Sequence, residues 1–146
     1  MRYLFIYILI AFTAFSCKKD KPLPKEPSIE LVSVTPTNIE QFTDSIEVTI
    51  KYKDGDGNLG DVSPDVYSLM VKDSRLVNAD WYHIPPLAPL DVEIRIEGTL
   101  KIKLNTMFLL GNGSQEFATL TIKLKDRTGN WSNEIITPQI IINDTL

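Results

Sequence analysis

Three stretches of this chain alternate between apolar and polar residues so regularly that they leave little choice of fold. From Ser45 to Lys53, Ile46, Val48, Ile50 and Tyr52 fall on one side, and Glu47, Thr49, Lys51 and Lys53 on the other. Ala118 to Lys125 repeats the pattern, with Ala118, Leu120, Ile122 and Leu124 against Thr119, Thr121, Lys123 and Lys125. Successive side chains of a strand point to opposite faces, so this period of two predicts half-buried strands with one wet face. Asp91 to Asn105 carries the pattern furthest: Val92, Ile94, Ile96, Leu100, Ile102 and Leu104 are all even-numbered, and Gly98 is the only gap. A two-residue turn at Glu97-Gly98 would send Leu100 outward. The parity therefore leaves a long strand kinked at Gly98 or a three-residue loop.

Further strands are expected at Ile29–Thr35, Val66–Lys72 and Glu134–Ile142, and Pro138 places the last at an edge or a bulge. No segment beyond residue 16 carries the 3.6-residue period of a helix. About seven strands in roughly 115 residues, separated by Gly, Pro, Asn and Asp clusters, predict an all-β domain of two packed antiparallel sheets. The expected class is an immunoglobulin-like or fibronectin-III-like β-sandwich, and barrels share its strand statistics. Cys17 is the sole cysteine, so no disulfide staples the domain and its core must suffice.

The N-terminus reads as an address. Met1-Arg2-Tyr3 gives a positive start, Leu4 to Phe15 is apolar apart from Thr13, and Ser16-Cys17 precedes an abruptly polar Lys18-Lys19-Asp20-Lys21. A membrane-spanning helix needs roughly 20 apolar residues, so this shorter run fits a cleaved export signal. Residues 17–28 are rich in Lys, Pro and Glu and read as an extended tether, leaving 29–146 as the domain. Loss of residues 1–16 removes one of the 15 basic residues and none of the 19 acidic ones, so the remainder carries 14 − 19 = −5. An acidic domain without a basic stripe repels phosphate backbones, which argues against nucleic acid as a partner.

One motif could carry chemistry. Asp54-Gly55-Asp56-Gly57-Asn58-Leu59-Gly60-Asp61 sets oxygen-bearing side chains at alternate positions with glycines between. Calcium takes about 6 to 8 hard oxygen ligands, of which such a loop supplies three or four. It is no EF-hand: Leu59 stands at the sixth position and no helices flank it. In a sandwich the loop after Ser45–Lys53 and the loop after Ala118–Lys125 emerge at one end, so Asp126 and Asn130 could complete a site begun by Asp54, Asp56, Asn58 and Asp61. Two readings stay open: a weak calcium site, or a charge-balanced cluster in which Arg127 neutralises the carboxylates. Asp and Gly also suit any tight connection.

Other residues weigh less. His83 is the only histidine, with no second soft ligand for zinc, and reads as a loop residue. Trp81 and Tyr82 open an aromatic, proline-rich connector through Pro89. Exposed, they would suit a sugar ring or a partner protein; otherwise the connector folds across a sheet edge and buries Trp81. Trp131 is expected to cover the end of the sandwich. Asp91 and Glu93 alternate with Arg95 on a polar face and do not form the carboxylate pair that glycoside hydrolysis needs.

The Ser-Cys-Lys-Lys-Asp junction resembles that of bacterial lipoprotein signal peptides, with Phe15 and Ala14 departing from the commonest box. Together with the tether, the Asp-Gly-Asp-Gly-Asn-Leu-Gly loop and the Asp126-Arg127-Thr128-Gly129-Asn130-Trp131-Ser132-Asn133 segment, it resembles small Bacteroidota surface lipoproteins with an immunoglobulin-like domain. That resemblance implies cleavage before Cys17, acyl chains on Cys17, and a protein held to a cell-envelope membrane, the outer one expected, facing the periplasm or the surface. The expected function is a non-catalytic binding or structural module acting on an envelope protein or glycan, with calcium at 54–61 as one of the two open readings. The alternatives are a glycan-binding accessory using Trp81 and Tyr82, and a small hydrolase or enzyme inhibitor.

Overall fold

A computed structural model describes residues 24–145, which form ten strands and no helix. The expected signal peptide, Cys17 and the first part of the tether lie outside the described residues. In chain order the strands are β1 (Ser28–Thr35), β2 (Asn38–Glu40), β3 (Ile46–Asp54), β4 (Leu69–Asp73), β5 (Asp80–Tyr82), β6 (Ile96–Leu104), β7 (Gln115–Ala118), β8 (Leu120–Leu124), β9 (Ile135–Ile136) and β10 (Ile140–Asn143).

The first layer is the antiparallel sheet β1-β3-β6. β3 pairs with β6 without a slip from Ile46 opposite Leu104 to Asp54 opposite Ile96. This settles the Gly98 alternative in favour of one continuous strand, because Gly98 lies directly across from Tyr52. A Cβ there would sit 2.8 Å from the Tyr52 ring carbon that bears the hydroxyl, so the tyrosine fills the space a side chain would take. Between β1 and β3 the register shifts at Leu31/Ser33, leaving Val32 as the extra, outward residue.

The second layer runs β5-β4-β8-β9 and continues as β2-β10-β7. One residue, Thr119, separates β7 from β8: its N–H turns to Ser74 Oγ at 3.0 Å, and its carbonyl accepts from the Ser74 N–H. Parity survives the break, and Ala118, Leu120, Ile122 and Leu124 are all buried as expected. Pro138 splits the last expected strand into β9 and β10, since it has no N–H to give a ladder. β10 also takes β2 as a parallel neighbour, Ile141 beside Asn38.

The two layers are a β-sandwich. Ile46, Val48, Ile50, Ile102 and Leu104 of the first meet Leu69, Val71, Ile122, Leu124, Ile140 and Ile142 of the second in one core. Asp91–Arg95 departs from expectation: it is no strand, and Val92 and Ile94 are half exposed. β3 ends at Asp54 opposite Ile96, so the residues before Ile96 have no strand to pair with, whatever their alternation; the Ile94 N–H reaches the Asp56 carbonyl of the following loop instead. Ile102→Ala is therefore expected to cost about 2–4 kcal/mol in chemical denaturation, and Val92→Ala under about 0.5 kcal/mol. Equal losses would contradict this assignment.

Candidate functional site

β3 and β8 deliver two loops to the same end of the sandwich, as topology predicts, and the loops bond to each other. Leu59 bridges to Asp126, the Arg127 N–H donates to the Asn58 carbonyl at 3.1 Å, and Arg127 Nη1 donates to the Gly60 carbonyl at 2.9 Å. On the other side the connector 84–94 closes in. Asp61 N–H donates to Ile84 O, Leu87 N–H to Leu59 O and Ile94 N–H to Asp56 O. Leu59 is buried in the core and pins the loop from within. Gly57 and Gly60 have φ of 74° and 78°, and each packs against a carbonyl, of Ile94 and Pro85 respectively, where a Cβ would collide. Two of the three glycines of the motif, Gly57 and Gly60, are thus explained by the backbone.

The oxygens are not. Of the six expected ligands, Asp61 accepts from the Ser63 N–H at 2.9 Å. Asp126 is committed within its own turn, accepting from the Thr128 hydroxyl, the Asn130 N–H at 2.7 Å and Asn130 Nδ2 at 2.8 Å. Asp54 Oδ2 accepts from the Asn58 N–H at 2.8 Å. What remains are Asp54 Oδ1, Asp56 Oδ1 and Asn58 Oδ1, all buried and all without a hydrogen-bond partner. Asp54 and Asn58 are 1% and 9% exposed, and the Asp56 side chain 9%. Ser68 Oγ is a fourth buried atom without a partner.

Arg127 forms no ion pair with these carboxylates among the described residues; its Nη1 donates instead to the Gly60 carbonyl. Among the described residues the cation that reaches Asp56 is Lys25, 3.9 Å away and largely exposed, where an ion pair contributes little. Burial pushes the Asp54 carboxyl above its ordinary value, with the nearby Asp56 and Asp126 carboxylates adding to the rise and the Asn58 and Gly55 N–H groups opposing it. No group of three His, Cys, Asp or Glu side chains stands in metal-holding geometry among the described residues; here the third oxygen belongs to an amide.

The opposite end carries apolar surface. Phe42 and Phe108 stack with ring centres 5.9 Å apart and planes 6° from parallel, yet remain 67% and 47% exposed. Phe42 holds a left-handed φ of 58°, rare for an aromatic residue. Beside the pair lies a cleft of about 310 Å³ whose lining mixes apolar Leu76, Met107 and Phe108 with polar Asp73, Arg75 and Asp80. Arg75 clasps this end together: it pairs with Asp73 at 2.7 Å and Glu116 at 2.6 Å and donates to the Phe108 carbonyl. Glu116 accepts from the Leu110 and Gly111 N–H groups, which with Arg75 hold its carboxyl below the usual range. Sequence reasoning missed this set, since Arg75 and Glu116 lie far apart in the chain and the phenylalanines sit in segments without alternation.

Trp81 and Tyr82 part company because neighbours on a strand face opposite ways. Trp81 is exposed, whereas Tyr82 packs against the core and lines the cleft, its hydroxyl pKa raised first by burial and then by Asp80. Trp131 joins Trp81 instead, at 5.7 Å and 60°, with Lys123 and Lys125 over its ring. It covers the outer sheet face and not the end of the sandwich. His83 Nδ1 lies 3.0 Å from the Val66 carbonyl.

Compared with known proteins, the chain matches no family model, no curated protein and no solved structure.

Asp54 keeps its proton to higher pH when folded than its ordinary 3.8, so stability falls as pH rises from that value through the raised one, and the penalty is complete above it. Asp54→Asn keeps an acceptor for the Asn58 N–H and removes the buried charge. In chelator at neutral pH the variant is expected to melt a few degrees above the parent, the gap closing on acidification. A variant that melts lower at neutral pH would contradict the burial penalty.

Proposed function

We propose that this chain is a lipid-anchored cell-envelope lipoprotein whose sandwich, of immunoglobulin-like type, binds an envelope protein and catalyses no reaction. The anchor reading rests on the positive start, the short apolar run and the Ser16-Cys17 junction. The single observation that carries the binding reading is the exposed Phe42–Phe108 stack beside its cleft. Large apolar rings left in water are costly unless a partner covers them, and aromatic anchors beside a pocket are the usual centres of protein interfaces. The ionisable groups at this end, Arg75, Asp73 and Glu116, bond to one another and to main chain, and so build this surface.

A second reading has one observation behind it: the Trp81–Trp131 pair with Lys123 and Lys125 offers ring faces and positive charge to an acidic glycan. Placing a photo-crosslinking residue at position 108 or position 42 in cells tests the first. A protein adduct is expected from both and not from position 51 on the outer sheet face. Adducts from all three alike, or from none, would contradict the reading. Cys17→Ser is expected to release the protein from the membrane fraction, and retention there would contradict the anchor.

A further inference from the structure

The buried oxygens at the loop end need a partner that no described residue supplies. A carboxylate oxygen can only accept, and a polar group buried without a hydrogen bond costs free energy, more so when charged. Three such atoms, on Asp54, Asp56 and Asn58, lie within five residues of one tight loop. Collapse cannot relieve them, because Leu59, Gly57 and Gly60 are fixed by the core and by the connector carbonyls. We infer that Asp54 Oδ1, Asp56 Oδ1 and Asn58 Oδ1 are the side-chain ligands of a single calcium ion.

The chemistry of the set favours that class of cation. All three donors are hard oxygens, two of them charged, with no sulfur or imidazole among them, which suits calcium and not zinc. Calcium accepts irregular geometry and completes its shell of about 6 to 8 oxygens with water and main-chain carbonyls. Magnesium insists on a near-ideal octahedron at about 2.0–2.1 Å, which a loop held by its own packing does not adjust to provide. Asp61, Asp126 and Asn130 stand outside the set, since none of their side-chain oxygens is left buried without a hydrogen-bond partner. The site is independent of the anchor and of the partner surface at the other end.

Calorimetric titration and thermal unfolding of the mature chain test this together. One calcium per chain is expected, half-saturating at about 10⁻⁴–10⁻³ M as in extracellular modules. About 10 mM calcium should raise the melting temperature by roughly 5 °C, and magnesium by much less. Asp56→Asn should weaken binding at least about tenfold, whereas Asp61→Asn should respond as the parent does. Absence of both heat and melting shift in the parent would overturn the inference, whatever the variants do. So would an undiminished response in Asp56→Asn, or a response lost equally in Asp61→Asn. A proton shared by the Asp54 and Asp56 carboxylates would give the first of these failures: stability that follows pH and ignores calcium.

Discussion

Everything in this domain depends on two inward faces closing on each other. The even-numbered side chains of β3 and β6 meet those of β8 and β10, and Ile46, Val48, Ile50, Ile122, Leu124, Ile140 and Ile142 lose all contact with water. With its one cysteine at position 17, the domain draws no help from a covalent cross-link. Close packing of branched aliphatic side chains must offset the entropy of ordering the strands. Tyr52 over Gly98 belongs to the same economy of volume, a large ring filling the place of an absent one.

That core also positions the chemistry. Leu59 extends it into the loop after β3, and the bonds from Arg127, Ile84, Leu87 and Ile94 then leave the acidic loop no freedom to turn its oxygens outward. A motif that would suit any tight connection is thus a wall pinned to the core and the connector, with acceptors set in it. The chain enters the domain at this same end, where Lys25 approaches Asp56 and Glu93. The exposed aromatic stack lies at the other. With an anchor at Cys17, the arrangement sets a cation-ready end toward the tether and an apolar end away from it.

Much of the fold was legible because alternation reports burial directly. Ile46 to Tyr52 and Ala118 to Leu124 needed no other information. Alternation reports nothing about partners, which is why Val92 and Ile94 read as strand and are not, and why the three-residue β2 and β5 escaped notice. Topology was enough to bring Asp54 and Asp126 to one end. It could not tell that Asp126 and Asn130 would satisfy each other, nor that Arg127 would choose a carbonyl. The first is a local turn, closed over four residues, whose geometry the alternation does not report; the second depends on a loop 67 residues away in the chain, which no local pattern encodes. Tyr82 could have been separated from Trp81 by strand parity alone, once that segment was known to be extended.

Amide hydrogen exchange on the folded chain tests most directly whether the loop end is built as one piece with the core. The N–H groups of Asp61, Leu87 and Arg127, each bonded across segments, are predicted to exchange nearly as slowly as those of Ile50 and Ile122. Exchange at these three as fast as in an open loop would mean that the wall is not rigid, and the account of its stranded oxygens would fall with it.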